Sequence, residues 1–147
     1  MCMDQTFNYS GSCLCGNINF FIHQDIKNIY YCHCSLCRKQ SGTASNAATL
    51  VNQSFFEWTA GVEYIEAFKK ASGFSACFCK LCGSPVPNQV SNSTWMWIPL
   101  GLLNELPNIQ TRLSFCLHSK INWAPAITVD HAYSELPNRS ELDRYFT

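Results

Sequence analysis

Seven of the ten cysteines fall in three tight groups: Cys13-Leu-Cys15, Cys32-His-Cys34-Ser-Leu-Cys37 and Cys79-Lys-Leu-Cys82. Thiolates at such spacings are metal ligands. Zn²⁺ takes four of them in a closed structural site, or three in a site that keeps one position for chemistry. Groups of two, three and two do not divide into four-ligand sites, because one complete site leaves three sulfurs over. That remainder points to an open metal centre, where a bound thiol is deprotonated or a carbonyl is polarised.

The local geometry of each group follows from its spacing. In Cys79-Lys-Leu-Cys82-Gly83 the two thiolates flank a tight turn, and the following glycine permits the turn's backbone geometry. In Cys13-Leu-Cys15-Gly16 the cysteines are two apart, so on an extended segment both sulfurs face one way. Sharing one ion, these pairs clamp the N-terminal region to the middle of the chain. The segment Cys32–Cys37 contains both spacings, so its three sulfurs converge and His33 points away.

Cys77 offers a rival arrangement. The run Cys77-x-Cys79-x-x-Cys82 mirrors Cys32-x-Cys34-x-x-Cys37, and eight cysteines would fill two closed sites. Disulfides and an iron–sulfur cluster are further options for a thiol-rich chain. Cys2 and Cys116 have no partner spacing and read as a terminal free thiol and a core residue. His23, His118 and His131 are isolated and read as surface or satisfied histidines.

The rest of the chain must position these groups. At 147 residues, 47% hydrophobic and 14% charged, it reads as one folded domain over 1–147 with a core at about 9–136, not as a disordered segment. No apolar run is long enough for a bilayer, and Met-Cys-Met-Asp-Gln-Thr lacks the basic and apolar regions of a signal peptide. A cytoplasmic, reducing setting is the expectation, which favours metal over disulfides. Seven thiolates contribute −7 and two zinc ions +4, so the loaded chain sits near −3, against a formal 0 without them. With no long basic stretch, neither a nucleic-acid partner nor a membrane is expected. Asn17–Ile22, Ala48–Val51, Val62–Phe68, Thr94–Ile98 and Arg112–Leu117 read as strands between Gly and Pro breaks. Asn138-Arg-Ser-Glu141 reads as a helix start near the C-terminus. The expected architecture is a mainly β, mainly antiparallel domain with little helix.

The motifs Gly11-Ser-Cys-Leu-Cys-Gly16, Cys32-His-Cys-Ser-Leu-Cys-Arg-Lys-Gln-Ser-Gly42 and Phe78-Cys-Lys-Leu-Cys-Gly-Ser-Pro85 resemble those of the glutathione-dependent formaldehyde-activating enzyme family (GFA/CENP-V), which includes a centromere protein. The resemblance continues through Gly101-Leu-Leu to Ser119-Lys120 and Trp123. It implies a β-tent fold with two zinc ions. The structural ion would be held by Cys13, Cys15, Cys79 and Cys82, the catalytic one by Cys32, Cys34 and Cys37, with Cys77 left out. Three positions depart from the family pattern: Lys80 inside the third motif, Ser114 where many members have His, and Asn122 where Pro is common before the Trp.

The activity this implies is that of a carbon–sulfur lyase joining a thiol to an aldehyde, as when glutathione and formaldehyde form S-hydroxymethylglutathione. Arg38 and Lys39 follow Cys37 and are expected to offset the thiolate charge. Arg38 and Lys120 are the expected contacts for the carboxylates of glutathione. The other reading is a non-catalytic zinc-stabilised binding module, similar to chaperone-like β-tent or centromere-type proteins. Trp95, Trp97 and Trp123 would then supply an apolar patch.

Overall fold

Short runs of β-formers broken by Gly and Pro give twelve strands in three sheets and two α-helices among residues 8–146, which the computed structural model describes. Cys2 lies outside the described residues. The chain resolves into two compact units, one running through Asp25 and then Leu50–Pro107, the other Ile26–Thr49 and from Asn108 onward.

The first unit holds two antiparallel three-stranded sheets. In one, β2 (Asn19–Ile22) lies between β1 (Tyr9–Ser12) and β5 (Phe56–Ala60); in the other, β7 (Ser75–Cys79) lies between β6 (Ile65–Lys69) and β8 (Pro85–Val86). A short hairpin pairs β9 (Asn88–Gln89) with β10 (Trp95–Pro99). Ile18 and Val86 are fully buried beside Cys13 and Cys79, with Trp58, Tyr64 and Ile65 packed around them. Phe20, Phe56 and Trp58 extend this core as a ring cluster, with centroids 4.9–6.2 Å apart. The cysteines of this unit therefore sit on the rim of an apolar core. Trp95 is buried and Trp97 half-buried, so neither supplies an exposed patch.

The second unit is built on β3 (Asn28–Cys32). It pairs antiparallel with β4 (Asn46–Asn52) and parallel with β11 (Thr111–Phe115), which in turn runs parallel to β12 (His131–Ala132). These two parallel pairings are the exception to the antiparallel expectation. A parallel neighbour needs a long connection, and β11 arrives from far along the chain. Tyr30 stacks on Phe115 at 4.7 Å, and Phe146 of α2 (Arg139–Phe146) meets Tyr30 edge-on. Asn138 caps α2 as expected, its Oδ1 accepting from the Glu141 N–H at 3.0 Å.

One element escapes the sequence pattern: α1 (Ser35–Ser41), seven residues inside the second cysteine motif. No residue of α1 is buried, so there is no apolar period to read. Its ends define it instead. The Cys34 sulfur accepts from the Cys37 N–H at 3.4 Å, and Gly42 ends the helix in the left-handed region, its N–H donating to the Arg38 carbonyl at 2.7 Å.

Candidate metal centres

Cys79 closes β7, Cys82 lies three residues on across a turn, and Cys13 and Cys15 lie between β1 and β2. Gly16 and Gly83 follow the paired cysteines with φ of 81° and 80°, a backbone conformation that side chains bearing a Cβ resist. The four sulfurs of Cys13, Cys15, Cys79 and Cys82 all lie within 4.8 Å of one another. Two of the separations are 3.6 Å (Cys13–Cys15) and 3.9 Å (Cys15–Cys79). A tetrahedral ion with metal–sulfur bonds of about 2.3 Å would space its sulfurs by about 3.8 Å, and both of these separations match that spacing.

Backbone and amide donors surround these sulfurs. The Ile18 N–H donates to Cys13 Sγ at 3.3 Å and Asn17 Nδ2 to Cys15 Sγ at 3.2 Å. The Asn17 bonds hold the Cys15 thiol below its ordinary value. Hydrogen bonds led by the Ser84 N–H bring Cys82 down to about 6, whereas burial pushes Cys79 up to about 11. Donors aimed at sulfur favour thiolates, the form a metal requires.

The second group belongs wholly to the other unit. Cys32 ends β3, Cys34 caps α1, and Cys37 lies in its first turn. Their sulfurs also converge within 4.8 Å. The extended backbone of Cys34 (φ −65°, ψ 156°) puts its side chain on the same side as Cys32. His33 is buried, and burial followed by the charge of Lys120 lowers its pKa.

Without a metal the three thiols share one negative charge. Donation from Cys32 and then Cys37, with support from the Cys37 and Leu36 N–H groups, pulls Cys34 down to about 2. Donation to Cys34 and then to Cys37 pushes Cys32 far up. For Cys37, a bond from Cys32 pulls downward, but donation to Cys34, burial and the Cys34 charge prevail and push it up to about 12. In the metal-free cluster, iodoacetamide is therefore expected to label Cys34 first, at a rate flat from about pH 5 to 8 because its thiolate is already formed. Labelling of Cys37 should instead rise about tenfold per pH unit across that range, as its small thiolate fraction grows. Peptide mass mapping after timed alkylation checks this.

Arg38 follows Cys37 on α1, and its buried Nε finds no hydrogen-bond partner among the described residues. Lys39 and Lys120 are exposed. Cys77 joins neither sulfur group. It packs half-buried against the apolar core of the first unit, and burial raises its pKa. Cys116, expected as a core residue, is buried but takes a left-handed backbone (φ 60°) and lies within hydrogen-bonding reach of Cys32. No spacing signal marks it, because β11 brings it to the cluster from far along the chain. His23 lies between Asn8 and Glu57, and His118 Nδ1 donates to the Ser134 carbonyl at 2.6 Å.

This is a mainly β protein with two thiol clusters, each able to hold a metal ion. The family model for the glutathione-dependent formaldehyde-activating enzyme matches residues 8–119, taking in all seven clustered cysteines, and the chain belongs to that family. The crystal structure of a Rhodobacter sphaeroides protein, solved as a structural-genomics target, shares the fold with a TM-score of 0.55. That match covers 66% of this chain and 89% of the other at 20% identity. No curated protein sequence matches the chain.

Proposed function

We propose that the chain is a zinc-dependent carbon–sulfur lyase that makes or breaks a thiol–aldehyde adduct, with glutathione as the thiol and formaldehyde as the aldehyde. The observation that carries this reading is the unequal number of sulfurs: four converge in one cluster and three in the other. In this reading Cys13, Cys15, Cys79 and Cys82 close a structural zinc site, and Cys32, Cys34 and Cys37 hold the catalytic zinc. When bound, that ion supplies Lewis acidity and lowers the pKa of a thiol entering its fourth position.

The protein's own side chains do the rest. Three cysteine thiolates would leave the loaded cluster negative, and Arg38, one residue after Cys37 on α1, is the nearest cation in the sequence to offset that charge. With its Nε left unpaired, Arg38 has donor capacity for a substrate carboxylate, and Lys120 offers a second cation. The substrate thiolate attacks the carbonyl carbon, and the resulting oxygen anion takes a proton from water. A reducing, cytoplasmic setting suits seven free thiolates.

The test is turnover. Zinc-loaded protein is expected to accelerate formation of S-hydroxymethylglutathione from glutathione and formaldehyde, followed by NMR exchange. A rate equal to the protein-free control would reject the reading.

A further inference from the structure

Around Cys32, Cys34 and Cys37 the second unit leaves buried polar atoms with no nitrogen or oxygen partner among the described residues on three side chains: His33 Nδ1, Arg38 Nε and both amide atoms of Asn46. Buried polar groups without partners are rare, and one kept beside a reactive cluster calls for a ligand. Asn46 is the most informative of the three. It stands directly opposite Cys32 in the antiparallel β3–β4 ladder, so the two side chains leave the sheet on the same face. Its amide also faces the Cys37 sulfur as a hydrogen-bond donor, and the residue is only 7% exposed. The amide thus leaves the sheet on the face from which the Cys32 side chain projects, at a residue whose type carries no metal-ligand signature in the sequence.

We propose that the Asn46 carboxamide donates an N–H to the oxygen of the adduct held at Cys32, Cys34 and Cys37, an inference that rests on the reaction proposed above. As the substrate sulfur bonds to the aldehyde carbon, the carbonyl π pair moves onto oxygen, which then takes a proton from water. Charge develops on that oxygen, and a fixed amide donor in a dry site stabilises it more in the transition state than in the free aldehyde. The Asn46 Oδ1 can accept from the hydroxyl of the neutral adduct. In the resting protein the amide meets only the Cys37 sulfur and no nitrogen or oxygen partner among the described residues, and the adduct oxygen would supply one.

The test compares wild type, Asn46→Leu and Asn46→Ala as full-length, cobalt-loaded protein. The probes are 2-mercaptoethanol and 1-propanethiol, which share a shape and differ in one hydroxyl. Titration of the cobalt spectrum gives the affinity ratio of the two thiols, expected to move about tenfold toward 1-propanethiol in both variants. The melting temperature of Asn46→Leu is expected to hold or rise by about 2–4 °C, since an apolar side chain replaces a buried amide whose one neighbour is a weak sulfur acceptor. With zinc, glutathione and formaldehyde, kcat is expected to fall about 10²–10³-fold with KM little changed. An affinity ratio equal in all three proteins would overturn the proposal, as would loss of cobalt binding in both variants, which would make the amide structural. If wild type shows no turnover but the ratio still shifts, the reaction is wrong and the oxygen-binding role of Asn46 stands.

Discussion

Replacing Cys79 with serine is expected to leave the chain unfolded at 25 °C, with no cooperative transition on heating. Cys79 is 0% exposed and Cys13 4% exposed, and both pack against Ile18 and Val86, so the sulfur cluster is continuous with the apolar core of its unit. A structural zinc contributes about 10–16 kcal/mol to small zinc-dependent folds, and whole domains are stable by only about 5–15 kcal/mol. Losing most of the first term exceeds the second. The serine hydroxyl adds about 1–3 kcal/mol of burial cost if it finds no partner. Cys77→Ser, two residues earlier on the same strand, is the control. Its half-buried side chain belongs to neither sulfur group, so metal content should hold and stability change by about 1 kcal/mol. Circular dichroism and metal analysis on the two variants check the pair. A folded Cys79→Ser protein with full metal content would remove the clamp from the account.

Cys34→Ser is expected to do the opposite, leaving the fold intact while abolishing turnover and one of two metals. Cys34 is half-exposed, and its main structural task is to cap α1 by accepting from the Cys37 N–H. Serine performs that task at least as well, so the change in stability should stay within about 1 kcal/mol. Its hydroxyl cannot replace a thiolate as a soft ligand, and two cysteines would remain of the three that the proposed site needs. The rate of adduct formation should fall to the protein-free value, and the metal-to-protein ratio should fall by one per chain. Cys34→Ala separates the two tasks. It shares the loss of metal and turnover but costs about 1 kcal/mol more for the missing cap. Loss of folding in Cys34→Ser would assign this cluster a structural role.

The sulfur groupings were legible in the sequence because their chemistry is local. An x-separated pair on extended chain and an x-x-separated pair on a turn each converge whatever the rest of the fold does. The strand runs around Asn17–Ile22 and Thr94–Ile98 were legible for a similar reason, namely β-formers bounded by Gly and Pro, and they appear as β2 and β10. Val62–Phe68 was legible only in part: Val62–Tyr64 forms a 3₁₀ turn and the strand starts at Ile65. Where Glu66 breaks the alternation, the exposed face of β6 needs no apolar residue.

What could not be read depends on long-range pairing. Helix α1 is too short and too polar to show a period, although Gly42 marks its end. Asn46 acquires meaning only by standing opposite Cys32, and Cys116 only because β11 runs parallel to β3. Neither position has a spacing in the sequence that ties it to the cluster. Register supplies that tie.

The most direct test of the account is zinc content under graded chelation, followed by addition of glutathione. Two zinc ions per chain are predicted, one removed at low chelator concentration and one retained until the protein unfolds, with glutathione perturbing only the weaker. Two ions of equal resistance, both indifferent to glutathione, would contradict it.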